Sequence, residues 1–520
     1  MTMVRRQPFR TVRLSLADLL GADYVDAVAA ARAKLTGEPA GPLRALGRRK
    51  VDFFPRRVRR ALAAHLEYVG RQIAAPRAKT CAGASTRMFT AATKAGLAPL
   101  TTWGYYRVGE DGRLYLASKS EHYHAPLGHA FEGYRLIEHA RRLGIPNATH
   151  NNTRGAITRM LEAELVRTAG GLARSDASGL EAALRSNRRG VLNRVLNLQT
   201  GSIACEAGLK MMLARFYRLQ EDSPRPKYEG RVPVIIVVGD ADGRPVANYH
   251  GTTILAQMLR GMWPAMSSAM QRAGLWKPVA VRPNNVADLE AAFDRHERPP
   301  FKIAGFCHEL VLMNHGGLVL ERRFLRRAYS LCRKHDAPTL ADEIQTCLWS
   351  PQLYMFREYG LRPNVVVIGK GFPGGEYAAS RILLDATMDC LPQFGALVTN
   401  GQEELASLAY LITMRWAEEN SDVTSAVGEE YEDRLRGLAD RYPQHVAAVQ
   451  GRRHLDAVVF HELDKAKSFV KLLTSGGLDI SVQTYKTSCL PSALTKLPLI
   501  ADCEVVDMVV WRMEDALRQL

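Results

Sequence analysis

Between roughly residues 100 and 425 the chain alternates short continuous apolar runs with amphipathic stretches. VPVIIVVGDADG, FKIAGFCHELVLMN, APTLADEIQT and NVVVIGKGFPGG each read as an apolar strand closed by polar residues or a Gly turn, with helical spacing between them. Strands that are apolar on both faces and alternate with helices predict a mostly parallel sheet covered on both sides. From 426 to 520 the texture becomes α+β: HLDAVVFHEL is a strand, AKSFVKLLTSGG a helix stopped by Gly, and VVDMVVWRMEDALRQL a terminal amphipathic helix. Before residue 95, ADYVDAVAAARAKL and PRRVRRALAAHLEYVGRQIA show helical periodicity, the second starting at Pro55. TGEPAGPLRALG between them reads as a loop from its Gly and Pro content. Residues 167–190, RTAGGLARSDASGLEAALRSNRRG, read as an inserted helix–loop segment.

Composition adds three constraints. At 520 residues the chain is long enough for two or three domains, and no apolar run reaches the roughly 18 residues of a membrane helix. None of the eight cysteines forms a CxxC pair, which argues against a zinc or redox motif and fits a reducing cytoplasm. The net charge of +17 is uneven: residues 1–80 hold 17 Lys/Arg against six Asp/Glu. A basic arm suits nucleic acid or an acidic partner. With no nucleic-acid motif beside it, a solvated helical face is the better reading.

In a parallel sheet, ligands bind at the carboxyl ends of the strands, so the polar residues closing each run are the ones to inspect. Asp342 closes APTLA, and a carboxylate in a crevice needs a cationic partner, such as a protonated pyridine nitrogen. Lys370 closes NVVVIG one strand–helix–strand step later, on the same sheet edge, where desolvation activates an amine for Schiff-base chemistry. Thr200, Gly201 and Ser202 precede a helix, whose first N–H groups suit a phosphate. Tyr249 and His250 stand before Gly251, where an aromatic ring can lie against a planar ligand.

Taken in order, TGSIACEAGLK, NYHGTT, ADEIQT and IGKGFPGG resemble the class III aminotransferases of pyridoxal-5′-phosphate (PLP) fold type I, over roughly residues 100–510. DGRLYL and LGH, near Asp111 and His129, resemble the same family's N-terminal segment. The resemblance implies an α/β fold: a large domain with a mostly parallel seven-stranded sheet, a smaller α+β domain and a basic helical N-terminal extension. The expected boundaries are 1–95 for the extension, 96–145 for the N-terminal part of the small domain, 146–425 for the large PLP-binding domain and 426–520 for the C-terminal part of the small domain. It further implies PLP as cofactor, with Lys370 forming the Schiff base and moving protons. Asp342 pairs with the pyridine nitrogen, Gln345 lies near the phenolic oxygen, Tyr249 stacks on the ring with His250 behind it, and Gly201 and Ser202 hold the phosphate. In TNGQEELA, Thr399 reaches the neighbouring subunit's phosphate, which implies a homodimer. No metal is expected. Because the resemblance starts near residue 100, residues 1–80 are expected to be dispensable for cofactor binding.

The chain departs from the family on the substrate side. TKLPLI carries Lys496 where relatives that use 2-oxoglutarate carry arginine, and HELVLMNHGG carries Leu310 for proline and Asn314 for the switching glutamate. Thr252 stands where many relatives have arginine. A lysine lacks the planar, bidentate fork of arginine. The LMN triplet is closer to the glutamate-1-semialdehyde aminomutase branch. The leading expectation is therefore an aminotransferase for a small amine or amino acid. An aminomutase or epimerase is the first alternative, and a PLP-fold binding protein using the basic arm is the second.

Overall fold

The computed structural model describes residues 8–483 and 489–520. After a short strand, Arg13–Leu14, paired with Val51–Asp52, the first helix, Leu16–Leu20, starts at a capping box in which Ser15 and Asp18 satisfy each other's backbone N–H groups. A second helix, Ala22–Thr36, ends at Gly37 in the left-handed conformation (φ 77°).

Two readings of this region are corrected. The expected loop over residues 36–47 is largely a helix, Ala40–Arg48. Pro42 falls in its first turn, where no backbone N–H is needed, and Gly47 lets Val25 approach to where a Cβ would stand 2.3 Å from Val25 Cγ1. Burial of Leu43 and this close packing override weak propensity. The next helix, Arg56–Ala64, is shorter than its pattern: past a 3-10 turn at Leu66–Tyr68 the chain runs extended, with Gly70 N–H donating to the Leu114 carbonyl at 2.8 Å.

The basic N-terminal stretch is not a free arm. Phe9, Val12, Leu16, Val25, Leu43, Phe53, Phe54 and Leu62 are buried in the same core as the rest of the protein. Phe9, Phe54 and Phe131 surround the fully buried Trp416 at ring distances of 5.5, 6.2 and 5.8 Å. Arg48 pairs with Asp26 at 2.6 Å and Arg142 with Glu38 at 2.7 Å, so part of the charge is spent on local ion pairs. Residues 9–62 are thus expected to be indispensable, since their removal bares the apolar core. Phe54→Ala should lower unfolding free energy by about 3–5 kcal/mol. Denaturant titration reads this directly, and a loss below about 1 kcal/mol would show that the aromatic cluster does not anchor the segment.

A three-stranded antiparallel sheet follows: β1 (Pro99–Trp103), β2 (Tyr106–Gly109) and β3 (Leu114–Leu116). The large sheet has seven strands, β4 (Leu192–Leu198), β5 (Val232–Val238), β6 (Lys277–Val281), β7 (Phe301–Glu309), β8 (Thr339–Asp342), β9 (Val365–Ile368) and β10 (Ser380–Asp385). Their order is β4-β10-β9-β8-β7-β5-β6, and β10 alone runs against its neighbours. This is the mostly parallel, seven-stranded sheet of fold type I. Register matters more than order here. Asp342 pairs with Glu309 on one side and Val367 on the other, so Glu309, Asp342 and the Ile368–Lys370 segment leave the sheet along one edge.

The last sheet, β11 (Val446–Arg452), β12 (Leu455–Phe460), β13 (Ser481–Gln483) and β14 (Ser492–Lys496), is antiparallel in the order β11-β12-β14-β13 and is packed by the helices Ser421–Arg441 and Leu463–Ser475, with Cys503–Arg518 against both helices. Leu116 N–H donates to the Gly477 carbonyl and Lys496 N–H to the Ser118 carbonyl, joining the segment after β3 to this sheet. The stretch 167–190, expected to be a helix–loop segment, holds the end of one helix and the whole of a second. The helix Ala156–Gly170 runs through its first residues, Gly171 stops it at φ 72°, and a second helix, Ala177–Leu184, begins at the Asp176 cap. No helix among the described residues is long and apolar enough to cross a membrane.

Candidate active site

A cavity of about 260 Å³ opens at the carboxyl edge of the large sheet. Gly201, Ser202, Tyr249, His250, Asp342, Gln345 and Lys370 all line it. Three other expected residues do not. Thr399 is exposed on the turn after Val398, Asn314 sits half-buried in the 3-10 turn Met313–His315, and Lys496 is buried just beyond the cavity wall.

Asp342 is held from two sides. His250 Nδ1 lies 3.0 Å from its Oδ2, the Cys205 thiol donates to the same oxygen at 3.3 Å, and Ile344 N–H donates to Oδ1 at 3.1 Å. Burial opposes a charge on His250, but the hydrogen bond and charge of Asp342, with Glu309 beyond, more than reverse this and raise its pKa. Burial and the Asp342 charge push the Cys205 thiol far up, which keeps it a donor. Cys205, His250 and Asp342 bring ligand-type atoms within 4.8 Å of one another. A metal would need the thiolate, and the Asp342 charge disfavours that form.

Lys370 stands across the cavity with its backbone at φ 38°, a left-handed conformation that a lysine adopts only under constraint from its surroundings. Burial pushes its pKa down, partly opposed by Asp342 and Glu309. The amine is therefore closer to its nucleophilic, neutral form than a surface lysine.

The floor is the start of the Gly201–Leu213 helix, capped by Thr200, whose Oγ1 accepts from Ile203 N–H at 3.4 Å. Its first N–H groups have no partner inside the helix and suit an anion. Gly251 explains why a glycine follows His250: at φ 110° its missing Cβ would stand 2.6 Å from Ser202 Cα. Thr252 N–H then donates to Ser202 Oγ at 3.1 Å and ties this loop to the helix start.

Glu309 was not among the expected residues. It accepts from Tyr249 N–H at 3.2 Å and from Gln345 Nε2 at 3.0 Å, so it orients two of them at once. It closes its strand as Asp342 closes the next, and that shared position was the available signal. Cys205, one turn into the capped helix, was also missed, since nothing local marks it as facing Asp342.

Beyond Lys370 lies a cationic wall. Ser120 to Tyr123 are four successive residues at positive φ, between 45° and 73°. Strain of this kind persists only where the surroundings over-determine it. The turn places the Tyr123 ring 5.0 Å from Lys370 Nζ and 4.1 Å from Lys496 Nζ. Lys496 is fully buried, and its Nζ has no hydrogen-bond partner among the described residues. Burial, with the charges of Lys370 and Lys119, pushes its pKa well down. Burial and the same three lysines press His122 down to about 3.

An acid held for a cationic ring nitrogen, an amine across from it, a helix start for an anion and an aromatic wall form the set that PLP requires, and the Gly201 and Gly251 approaches shape the cradle. Fold and site together define a PLP protein of fold type I. The chain matches the family Aminotransferase class-III over residues 146–501, and it belongs to that family. It is similar to the mitochondrial ornithine aminotransferase of Oryza sativa, 29% identical over 174 residues, which are 33% of this chain and 36% of the relative. It is also similar to the 5-aminovalerate aminotransferase DavT of Pseudomonas putida, 26% identical over 261 residues, 48% of this chain and 56% of the relative. These matches span about a third to just over half of each relative's length. Among solved structures, the ornithine aminotransferase from Toxoplasma gondii superposes with a TM-score of 0.63 at 20% identity, covering 81% of this chain and 90% of that one. The adenosylmethionine-8-amino-7-oxononanoate aminotransferase from Methanocaldococcus jannaschii gives 0.64 at 16%, covering 88% and 99%.

Proposed function

We propose that this chain is a PLP-dependent aminotransferase acting on a small amine or amino acid. The observation that carries the reading is the placement of Asp342 at the end of β8 and Lys370 just past the end of its parallel neighbour β9, both lining one cavity whose floor is a helix start. When bound there, PLP supplies an electron sink for the bond at the substrate's amino-bearing carbon. Lys370 holds the cofactor covalently, then takes and returns the proton at that carbon. Asp342 keeps a proton on the ring nitrogen, and His250 and Cys205 fix the carboxylate in place. Gln345, oriented by Glu309, would serve the phenolic oxygen. Tyr249 would cover the ring, and Gly201 and Ser202 would hold the phosphate. The related transferases favour transfer over the mutase, epimerase and binding-protein alternatives. Borohydride reduction followed by peptide mapping tests the reading. The label is expected on Lys370, and a label on another lysine, or none, refutes it.

We also propose a homodimer in which Thr399 of the partner subunit completes the phosphate site. Exposure of Thr399 together with Phe394, 87% exposed on the same stretch, supports this. That none of the eight cysteines is in a disulfide supports a reducing, cytoplasmic setting.

On the substrate side, Lys496 is the candidate for a carboxylate, while Asn314, like Lys496, lies outside the cavity lining. An arriving carboxylate would restore the proton that burial and Lys370 disfavour. Lys496 offers one point charge in place of arginine's two parallel bonds, and no glutamate stands at 314 to switch it. Loaded with amino groups, the enzyme should therefore return to its starting spectrum faster with pyruvate than with 2-oxoglutarate. A stopped-flow preference for 2-oxoglutarate at low concentration overturns this.

A further inference from the structure

The segment after Gly170 builds something that the transferase reading does not use. It lies near the amino ends of the large sheet's strands, where Thr339 opens β8 and Asn364 precedes β9. That edge is opposite the one carrying Asp342 and Lys370. Two recesses meet there. One, of about 750 Å³, lies between the helices Ala156–Gly170 and Ala177–Leu184 and residues 352–363. The other, of about 210 Å³, is bounded by Arg189, Arg333, Thr339, Arg362 and Asn364. Gly190 and Arg362 line both.

Arginine is the only charged residue on their walls. Arg188, Arg357 and Arg362 line the larger recess, and Arg189, Arg333 and Arg362 the smaller; no Asp or Glu lines either among the described residues. The surrounding acids are already engaged. Asp336 alone serves Arg189 at 3.1 Å, Lys227 at 2.9 Å and Arg215, and Glu181 pairs with Arg185 at 2.6 Å. Arg188, Arg333 and Arg362 make no ion pair among the described residues. The larger recess has an apolar floor of Val166, Ala169, Phe356 and Leu361, all buried. Facing it, the inserted helix presents Gly179, Ala182 and Ala183, which leave the space open.

Unpaired guanidiniums above an apolar floor select a ligand with a concentrated anion at one end. A single carboxylate would neutralise one arginine, whereas a phosphoryl group offers three oxygens to several planar forks at once. The volume is in the range of small-molecule sites. We propose that this double recess binds a small phosphorylated organic molecule, with its phosphoryl oxygens on Arg188, Arg333 and Arg362 and its organic part on Val166 and Phe356.

The test is calorimetric titration of the PLP-loaded full chain, so that the cofactor's own phosphate cradle is filled. The probes are inorganic pyrophosphate and ADP at about 150 mM salt, which screens diffuse surface charge. Both should bind, ADP at least several-fold tighter because only it reaches the floor. Arg188→Ala/Arg362→Ala should weaken ADP at least tenfold, with the cofactor's visible band and the thermal midpoint unchanged. Arg333→Ala, on the other recess, gives an independent reading if the double variant misfolds. No heat with either probe, no advantage for ADP, or binding unchanged in these variants overturns the proposal.

Discussion

Asp342→Asn should give a folded, yellow protein whose turnover falls about a thousandfold. The substitution keeps the shape and leaves an oxygen to accept from the Cys205 thiol and the His250 ring. What it removes is the negative charge, and with it the preference for a protonated ring nitrogen. Removing one member of a buried charged pair costs about 3–5 kcal/mol. At about 1.4 kcal/mol per factor of ten, that is two to four decades in rate. Because His250 owes its raised pKa to Asp342, the variant should also leave the imidazole neutral. Cofactor content from the visible band, read beside kcat, separates this from misfolding. Turnover within tenfold of the parent would refute the role.

The carboxyl-edge chemistry was legible because its signal is local. VPVIIVV and NVVVIG are unbroken apolar runs, and a charged residue ending such a run must face a crevice or a partner. Asp342 and Lys370 stand out on that argument alone, and the ordered motifs supplied the rest. Glu309 obeys the same rule but hides, because its importance lies in two cross-strand hydrogen bonds that exist only once register is set. Cys205 shows the same limit on a helix, where facing Asp342 depends on how the helix packs on the sheet.

The N-terminal region was misread for a different reason. Pro39, Gly41, Pro42 and Gly47 weigh against a helix when scored one by one, yet burial of Leu43 and contact with Val25 hold one there. Arginines on the outer faces of these helices mask the apolar faces beneath, which join Trp416 in the common core. Lys496 was singled out from a motif, but its burial over Tyr123, beside Lys370, depends on β14 packing against the strained 120–123 turn.

Lys370→Ala should lose the covalent link to the cofactor and nearly all turnover while remaining folded. Lys370 is asked to do two things, hold the cofactor and carry the proton at the substrate carbon. A positioned acid–base group alone contributes about 10²–10⁴-fold, and loss of the tether adds to this, so a fall of about 10⁴ or more is expected. Removal of the strained side chain from a φ of 38° costs the fold little, because alanine meets the same backbone restriction. A small added amine such as methylamine should restore part of the rate in proportion to its concentration, since it can enter the 260 Å³ cavity and take the proton. A merely structural lysine would show no such rescue. The neighbouring Lys496, with its own depressed pKa and its Nζ against the same Tyr123 ring, is a group placed to substitute. Measuring Lys370→Ala and Lys370→Ala/Lys496→Met side by side therefore decides the matter. Turnover within tenfold of the parent in the single variant, abolished in the double one, would move the proton-transfer role from Lys370 to Lys496.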